Sequence, residues 1–445
     1  MIAPRTRLIL WVSLIVLPFA ALAGTMPSAI GVSAFAIGGL LTLVLADAFL
    51  ATSRVTGLRV ELPDLVRLQK DRPAHLEVRI HNDAQTARAV RIGLTFPDEI
   101  SVPDETQTTA LPAGSALSRL DWTCTPRKRG QYFLERAYLE AASPLGFWSA
   151  RTSHPIRAEL RVYPNLFDER KNVAALFLKR GNLGIHAQRQ AGQGRSFEKL
   201  RNYLPGDSVN EIHWKASAKR GHPVTKVFQI ERTQEVYVIL DASRLTARPV
   251  KLEGGAETNV LERFVTAALI LGLAAEQKGD QFGLITFSDR VLSFVRAKSG
   301  QAHYDTCRDR LYTLHPQIVT PDFDELATFI RLRLRKRALL IFLTALDDPM
   351  LAESFVKSMD LVCRQHLILV DMLQPAGAVP VFSDTSVSEL DDVYRQLGGH
   401  WQWHKLRELE KVLQRRGVRF SQLDPAQLPA QLVAQHADVK ARQLV

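Results

Sequence analysis

The sequence predicts a membrane-anchored, multidomain chain. A transmembrane helical hairpin takes residues 1–54, an all-β sandwich 55–164, a connecting segment 165–234 and a doubly wound α/β domain 235–445. Three observations predict this. Two long apolar runs stand near the N-terminus, separated only by residues 25–28. The segment after them alternates apolar and polar residues with a period of two. From Glu235 onward, strand-length apolar runs alternate with helical periodicity, the pattern of a mostly parallel sheet with right-handed crossovers.

A chain of 445 residues is long enough for two or three domains. Its net charge of +11 suits anionic lipid headgroups, acidic proteins or nucleic acid, and the membrane anchor puts lipid first. Cys124, Cys307 and Cys363 are far apart and show no CxxC spacing. That argues against a disulfide framework or a zinc site and suits a reducing compartment.

The first apolar run, residues 8–24, follows Arg5 and Arg7 and is near the lower length limit for a spanning helix. Its ALAG end also has the look of a signal-peptide cleavage site. A second apolar run, residues 29–51, follows at once with Asp47 as its only charge, and Arg54 and Arg59 stand beyond it. Basic residues flank both outer ends and none lies in the link, so the positive-inside rule puts both ends in the cytoplasm. Gly31, Gly38 and Gly39 suit close approach of the two helices. Between residues 55 and 164, short alternating runs such as HLEVRIHN and QYFLERAYLEA are punctuated by Pro and Gly, which suggests an immunoglobulin-like sandwich. Phe147 and Trp148, at a turn, read as aromatic core. Residues 165–193 form a basic, mostly polar connector.

Next comes the densest run of special residues. Phe197, Leu200 and Tyr203 fall on one helical face. Residues 205–208 are a Pro-Gly-Asp-Ser turn, after which Ile212 and Trp214 are expected to be buried. Asp207, His213 and Lys215 form a trio that a hydrolase or transferase would use, with His213 as base, although an ion-pair network is the commoner meaning of such a trio. The α/β domain follows: strands at 235–241, 282–287, 291–295, 339–344, 366–372 and 418–424, and helices at 259–278, 304–314, 323–334, 350–363, 402–416 and 428–442. Sheets of this kind bind ligands at the carboxyl ends of their strands.

The run at 192–218 resembles the signature of a bacterial membrane-protein family known as domain of unknown function 58. Gly192, Gly194, Phe197, Leu200, Arg201, Tyr203, Gly206, Asp207, Ile212, Trp214, Lys215 and Ala218 match its pattern, with Ser196 in place of Glu and Asn210 in place of Arg. The resemblance implies a bacterial inner-membrane protein with a von Willebrand factor A-like domain, partnered with a MoxR-type AAA+ ATPase in a chaperone-like or complex-maturation system. It also implies where a Mg²⁺ site would lie, since a von Willebrand A domain builds an oxygen cage from Asp-x-Ser-x-Ser at a strand end, a loop Thr and a later Asp. Here Asp241 and Ser243 match, Leu245 replaces the second Ser, Thr320 fits the loop Thr, and Ala345 stands where the last Asp belongs, with Asp347 two residues on. Leu245 and Ala345 cannot supply side-chain oxygens to a hard ion. We therefore expect Asp241 to cap backbone N–H groups rather than to hold Mg²⁺.

The basic run at 331–337 closes a helix, where cations complement the dipole, so it reads as a contact for headgroups or an acidic partner rather than nucleic acid. No Gly-rich phosphate loop of the P-loop or Rossmann type appears, which argues against an ATPase or dehydrogenase. The leading expectation is a non-enzymatic, membrane-anchored interaction protein. Its rivals are a metal-dependent adhesion module for an envelope protein and the hydrolase or transferase of the trio.

Overall fold

The computed structural model describes the chain except residues 168, 170, 172–190, 205–208, 210, 211, 230–233, 253–256, 382, 384–388 and 443–445, and leaves undescribed the side chains of 191–199 and 226–229. Two units divide it, Met1–Asn165 and Leu166–Val445.

The first unit opens with a short strand, β1 (Ile2–Pro4), and two helices, α1 (Thr6–Thr25) and α2 (Pro27–Ser53). Each helix has a mean hydropathy of 2.2, and each is long and apolar enough to cross a membrane. A π turn at Val12–Val16 interrupts α1 just before Pro18. Pro18 has no N–H for the carbonyl four residues back, and a widened turn is the usual accommodation. Of the two readings of Gly31, Gly38 and Gly39, close helix approach or ordinary glycines of an apolar helix, the geometry favours the second. A Cβ added at Gly31, Gly38 or Gly39 would meet no atom within 4 Å.

The rest of this unit is a sandwich of two sheets. The larger joins β1, β10 (Trp148–Tyr163), β9 (Gly130–Ala142), β5 (Arg88–Leu94) and β7 (Thr106–Leu111), with β3 (Leu65–Gln69) beside β10. The smaller joins β2 (Leu58–Glu61), β4 (Ala74–Asn82), β8 (Leu117–Pro126) and β6 (Ile100–Ser101). One hydrophobic cluster spans both, with Val78, Ile80 and Trp122 from the smaller sheet meeting Ile92, Leu139 and Leu160 from the larger. That is the outcome of period-two alternation, which puts every second residue on the inner face. Strand β10, with 16 residues, carries the chain up to roughly 50 Å away from its helix-facing start.

In the second unit, β11 (Ala191–Asn202) and β12 (Val224–Gln229) pair antiparallel, with the short helix α3 (Trp214–Arg220) between them. The helical face expected at Phe197, Leu200 and Tyr203 is therefore absent. Phe197 pairs with Phe228 and Leu200 with Lys226 instead. A three-residue spacing over two turns is a weak signal, and pairing to an aromatic and β-branched partner strand outweighs it. The remaining fold follows the expected alternation of strands and helices, except that the helix expected at 402–416 begins at Leu390. Six strands run in the order β17 (Val291–Lys298), β16 (Gln281–Phe287), β13 (Glu235–Asp241), β18 (Leu339–Leu343), β19 (Leu367–Leu373) and β20 (Arg419–Leu423), and the short strands β14 (Pro249–Lys251) and β15 (Glu257–Asn259) pair with each other outside this sheet. All neighbours are parallel except the edge strand β17. Helices α4 (Val260–Gln277), α5 (Gln301–Leu311) and α9 (Leu428–Ala441) cover one face, where Val238, Ile341 and Leu369 point. Helices α6 (Phe323–Arg333), α7 (Pro349–Met359) and α8 (Leu390–Arg415) cover the other, packed on Ile239, Phe342 and Val370. Sequence order reverses on either side of β13, so the crevice at its carboxyl end is the topological switch point.

Candidate functional site

Strand β13 exists because Val236 to Leu240 are fully buried on both faces of the sheet. It delivers Asp241 to the switch point, where the side chain is completely buried. Both carboxylate oxygens are occupied by the chain itself. Oδ1 accepts the Ser243 N–H at 2.8 Å, and Oδ2 accepts the Thr344 hydroxyl at 2.6 Å. Burial is the largest influence on this carboxyl and pushes its pKa up, against the opposing pull of the bonds from Thr344 and Ser243. Ser243 is also buried and caps the turn at Arg244–Ala247, its hydroxyl accepting the Leu245 N–H at 3.4 Å.

The other two oxygen donors expected at this site are tied elsewhere. Exposed Thr320 accepts from Arg244 Nε at 3.4 Å, and Asp347 binds the Arg248 guanidinium at 2.5 Å. All four expected ligands thus attach to residues 241–248 or to Thr344; none of these bonds runs between Thr320 or Asp347 and the Asp241–Ser243 pair. Leu245 and Ala345 are buried and offer only carbon. Among the described residues no group of three or more His, Cys, Asp or Glu is gathered as for a metal ion. Leu245 and Ala345 leave two positions of the resembled cage without a side-chain oxygen, and a Mg²⁺ ion at the remaining donors would have to keep several waters.

Sequence reasoning missed Thr344, Arg244 and Arg248. Arg244 stands inside the Asp241–Leu245 motif and Arg248 three residues beyond it, but as cations neither belongs to an oxygen cage. Thr344 left no signal, since its contact with Asp241 bridges two strands.

Beside Asp347 an apolar groove of about 240 Å³ opens between α7 and α8, lined by Leu346, Val356, Leu406, Leu409 and Val412, with Glu353 and Lys405 also in its lining.

The signature residues lie apart from that crevice in the strand order. Gly194, Phe197, Leu200 and Arg201 are in β11. Tyr203 follows it, its N–H bonded to the Pro223 carbonyl at 3.0 Å. Ile212 is half-buried and bridges to Thr225. Trp214, expected in the core, is 68% exposed at the start of α3, and Lys215 beside it is exposed. A seven-residue helix on a two-stranded hairpin has too little surface to enclose an indole. Gly206 and Asp207 lie outside the described residues. His213 caps α3, its Nδ1 accepting the Ala216 N–H at 3.1 Å, so that nitrogen is not available as a base.

Solved structures resemble parts of the chain weakly. A BatB protein from Bacteroides thetaiotaomicron is 15% identical, covering 47% of this chain and 99% of its own, with a TM-score of 0.30. The YadV chaperone is 14% identical over 25% of this chain and 53% of its own, with a TM-score of 0.17. Uncharacterized proteins of Mycobacterium bovis and Mycobacterium tuberculosis are each 22% identical over 217 residues, 48% of this chain. The chain spans 63% of the length of these curated relatives. The α/β sheet up to the start of α8, together with the hairpin that carries Trp214, is the part of the chain, residues 199–390, that matches the family described as Protein of unknown function DUF58.

Proposed function

We propose that the chain is a membrane-anchored interaction protein without catalytic chemistry of its own. Helices α1 and α2 form a hairpin in the bacterial inner membrane with both ends cytoplasmic, the sandwich is a spacer, and a von Willebrand A-like domain presents its strand-end face to a partner. The observation that carries this reading is the closed Asp241 site. Each oxygen of its carboxylate already accepts a bond from Ser243 or Thr344, and Thr320 and one oxygen of Asp347 are engaged by arginines, so most of the strand-end donors are turned to partners within the chain. The groove beside Asp347 supplies apolar area for an inserted side chain, as the centre of a protein interface does. The resemblance at residues 192–218 favours a MoxR-type AAA+ ATPase as partner. The open sheet with helices on both faces, and Asp241 and Ser243 at the end of its central strand, supports the von Willebrand A-like assignment. An adhesion module would need a Mg²⁺ cage in which Leu245 and Ala345 supply carbon at two ligand positions. A hydrolase would need His213 as a base, and its Nδ1 is engaged in capping.

The test is co-purification of the full chain from gently solubilised native membranes, with and without Mg²⁺, beside a Leu409→Glu variant that puts a charge in the groove. A AAA+ ATPase recovered in both conditions and depleted at least tenfold by the variant, equivalent to about 1.4 kcal/mol, is the expected result. An envelope protein recovered only with Mg²⁺ would replace the proposal with the adhesion reading.

A further inference from the structure

Asp47 is an ionisable residue inside an apolar helix, and its carboxylate is completely buried. What buries it is a loop of the β-sandwich, residues 143–148. The Ser143 hydroxyl donates to Asp47 Oδ2 at 2.6 Å, the Leu145 N–H to Oδ1 at 3.0 Å and the Phe147 N–H to Oδ2 at 3.1 Å. Trp148 Nε1 donates to the Val44 carbonyl at 2.9 Å, and the Arg5 N–H, just before α1, donates to the Phe147 carbonyl at 2.9 Å. The loop therefore grips α2 and the base of α1 together.

The height of this grip along α2 matters. From Pro27 to Asp47 the helix rises about 30 Å, the thickness of a bilayer's hydrocarbon core. Around Asp47 the helix surface stays apolar and open, and Phe49 and Leu50, two and three residues further from the bilayer centre, are 81% and 49% exposed. Surface that faces lipid thus continues past the level at which the loop is attached. The loop suits that level. Residues 143–150 read SPLGFWSA and carry no charge, and Pro144 and Leu145 at the tip are exposed.

We infer that the loop at residues 143–148 is itself a membrane element, seated in the interfacial layer of the bilayer with Pro144 and Leu145 against lipid. The inference rests on the reading of α1 and α2 as a membrane hairpin. It gives Asp47 a role, since a carboxylate at the edge of the hydrocarbon is costly unless hydrogen-bonded, and the loop brings three donors to it. Trp148 then sits at the depth where indoles concentrate in membrane proteins.

The experiment is spin-label accessibility on the full chain in nanodiscs of phosphatidylcholine with a minority of phosphatidylglycerol. Burial pushes the Cys124 thiol up and the Cys307 thiol to about 12, which makes both slow to label, and Cys363 is replaced by Ser. Labels are placed singly by Phe35→Cys in the middle of α2, Leu145→Cys at the tip and Lys128→Cys at the opposite end of the sandwich. Collision with oxygen relative to a water-soluble nickel chelate should be highest at Phe35, several-fold above Lys128 at Leu145, and lowest at Lys128. Pro144→Cys gives an independent reading of the tip. A tip that matches Lys128 while Phe35 remains lipid-exposed overturns the inference alone. A Phe35 label that matches Lys128 overturns the hairpin and the inference with it.

Discussion

Replacing Asp371 with Asn should stabilise the α/β unit, and the gain should grow with pH. Asp371 lies in β19 opposite Leu343 and Ser421, completely buried, with Oδ1 accepting the Gln435 amide at 3.0 Å. Burial is the main influence on its carboxyl and raises the pKa from 3.8 to about 7, against weaker opposing bonds from Gln435 and Ser421. The sign follows from linkage. The folded state holds this proton more tightly than the unfolded chain, so the group's contribution is whole below pH 3.8 and is lost as pH rises through about 7. A shift of some three units corresponds to about 4 kcal/mol in all, and roughly 2–3 kcal/mol of that falls between pH 5 and pH 8. Asparagine has the same shape and no proton to lose. The assay is urea unfolding of the full chain in detergent at both pH values, read by hydrogen exchange of the peptide at residues 367–373. Other titrating groups cancel in the difference between variant and wild type. A difference that stays flat between pH 5 and pH 8, or that shrinks, would refute the assignment of a neutral carboxyl to this position.

Two further changes test the packing. Gly283→Ala in β16 should cost about 1–3 kcal/mol or more, because a Cβ there would run into the Tyr237 ring and lie 2.9 Å from the Ala297 nitrogen, whereas Gly398→Ala in α8 meets nothing and should stabilise by up to about 1 kcal/mol; the pair is compared by denaturant midpoint in the same detergent, and equal effects would contradict the structure. Asp47→Ala should leave the Ser143 hydroxyl and the Leu145 and Phe147 amides without their acceptor, at about 1–3 kcal/mol each. Limited proteolysis in nanodiscs should then cut the loop at residues 143–148 at least tenfold faster, and unchanged protection would mean that the clamp adds nothing.

The α/β unit was legible because buried parallel strands such as Leu339–Leu343 read as unbroken apolar runs and their helices as amphipathic periods. The start of α8 was not legible. It begins at Leu390, well before the expected residue 402, and includes Gly398 and Gly399, which disfavour helix on propensity alone. Gly399 is there for contact, since a Cβ would collide with the Gly377 carbonyl. The candidate site shows the same division between local and distant information. Asp241 and Ser243 were found because a strand end and a two-residue spacing are local. Who takes the second carboxylate oxygen was not local. Thr344 comes from the next strand across, 103 residues later, and the sequence around it presents Ala345 as the position to examine. Strand neighbours in a doubly wound sheet are set by crossovers, so the partner of a strand-end carboxylate is decided by topology rather than by motif. A degenerate cage in this fold is then better judged by asking which hydroxyl the adjacent strand brings alongside the aspartate than by counting the ligands that the motif has lost. By that criterion both oxygens of Asp241 are already engaged within the chain, and Thr344→Val, which removes the hydroxyl and keeps the shape, is the change that frees Oδ2.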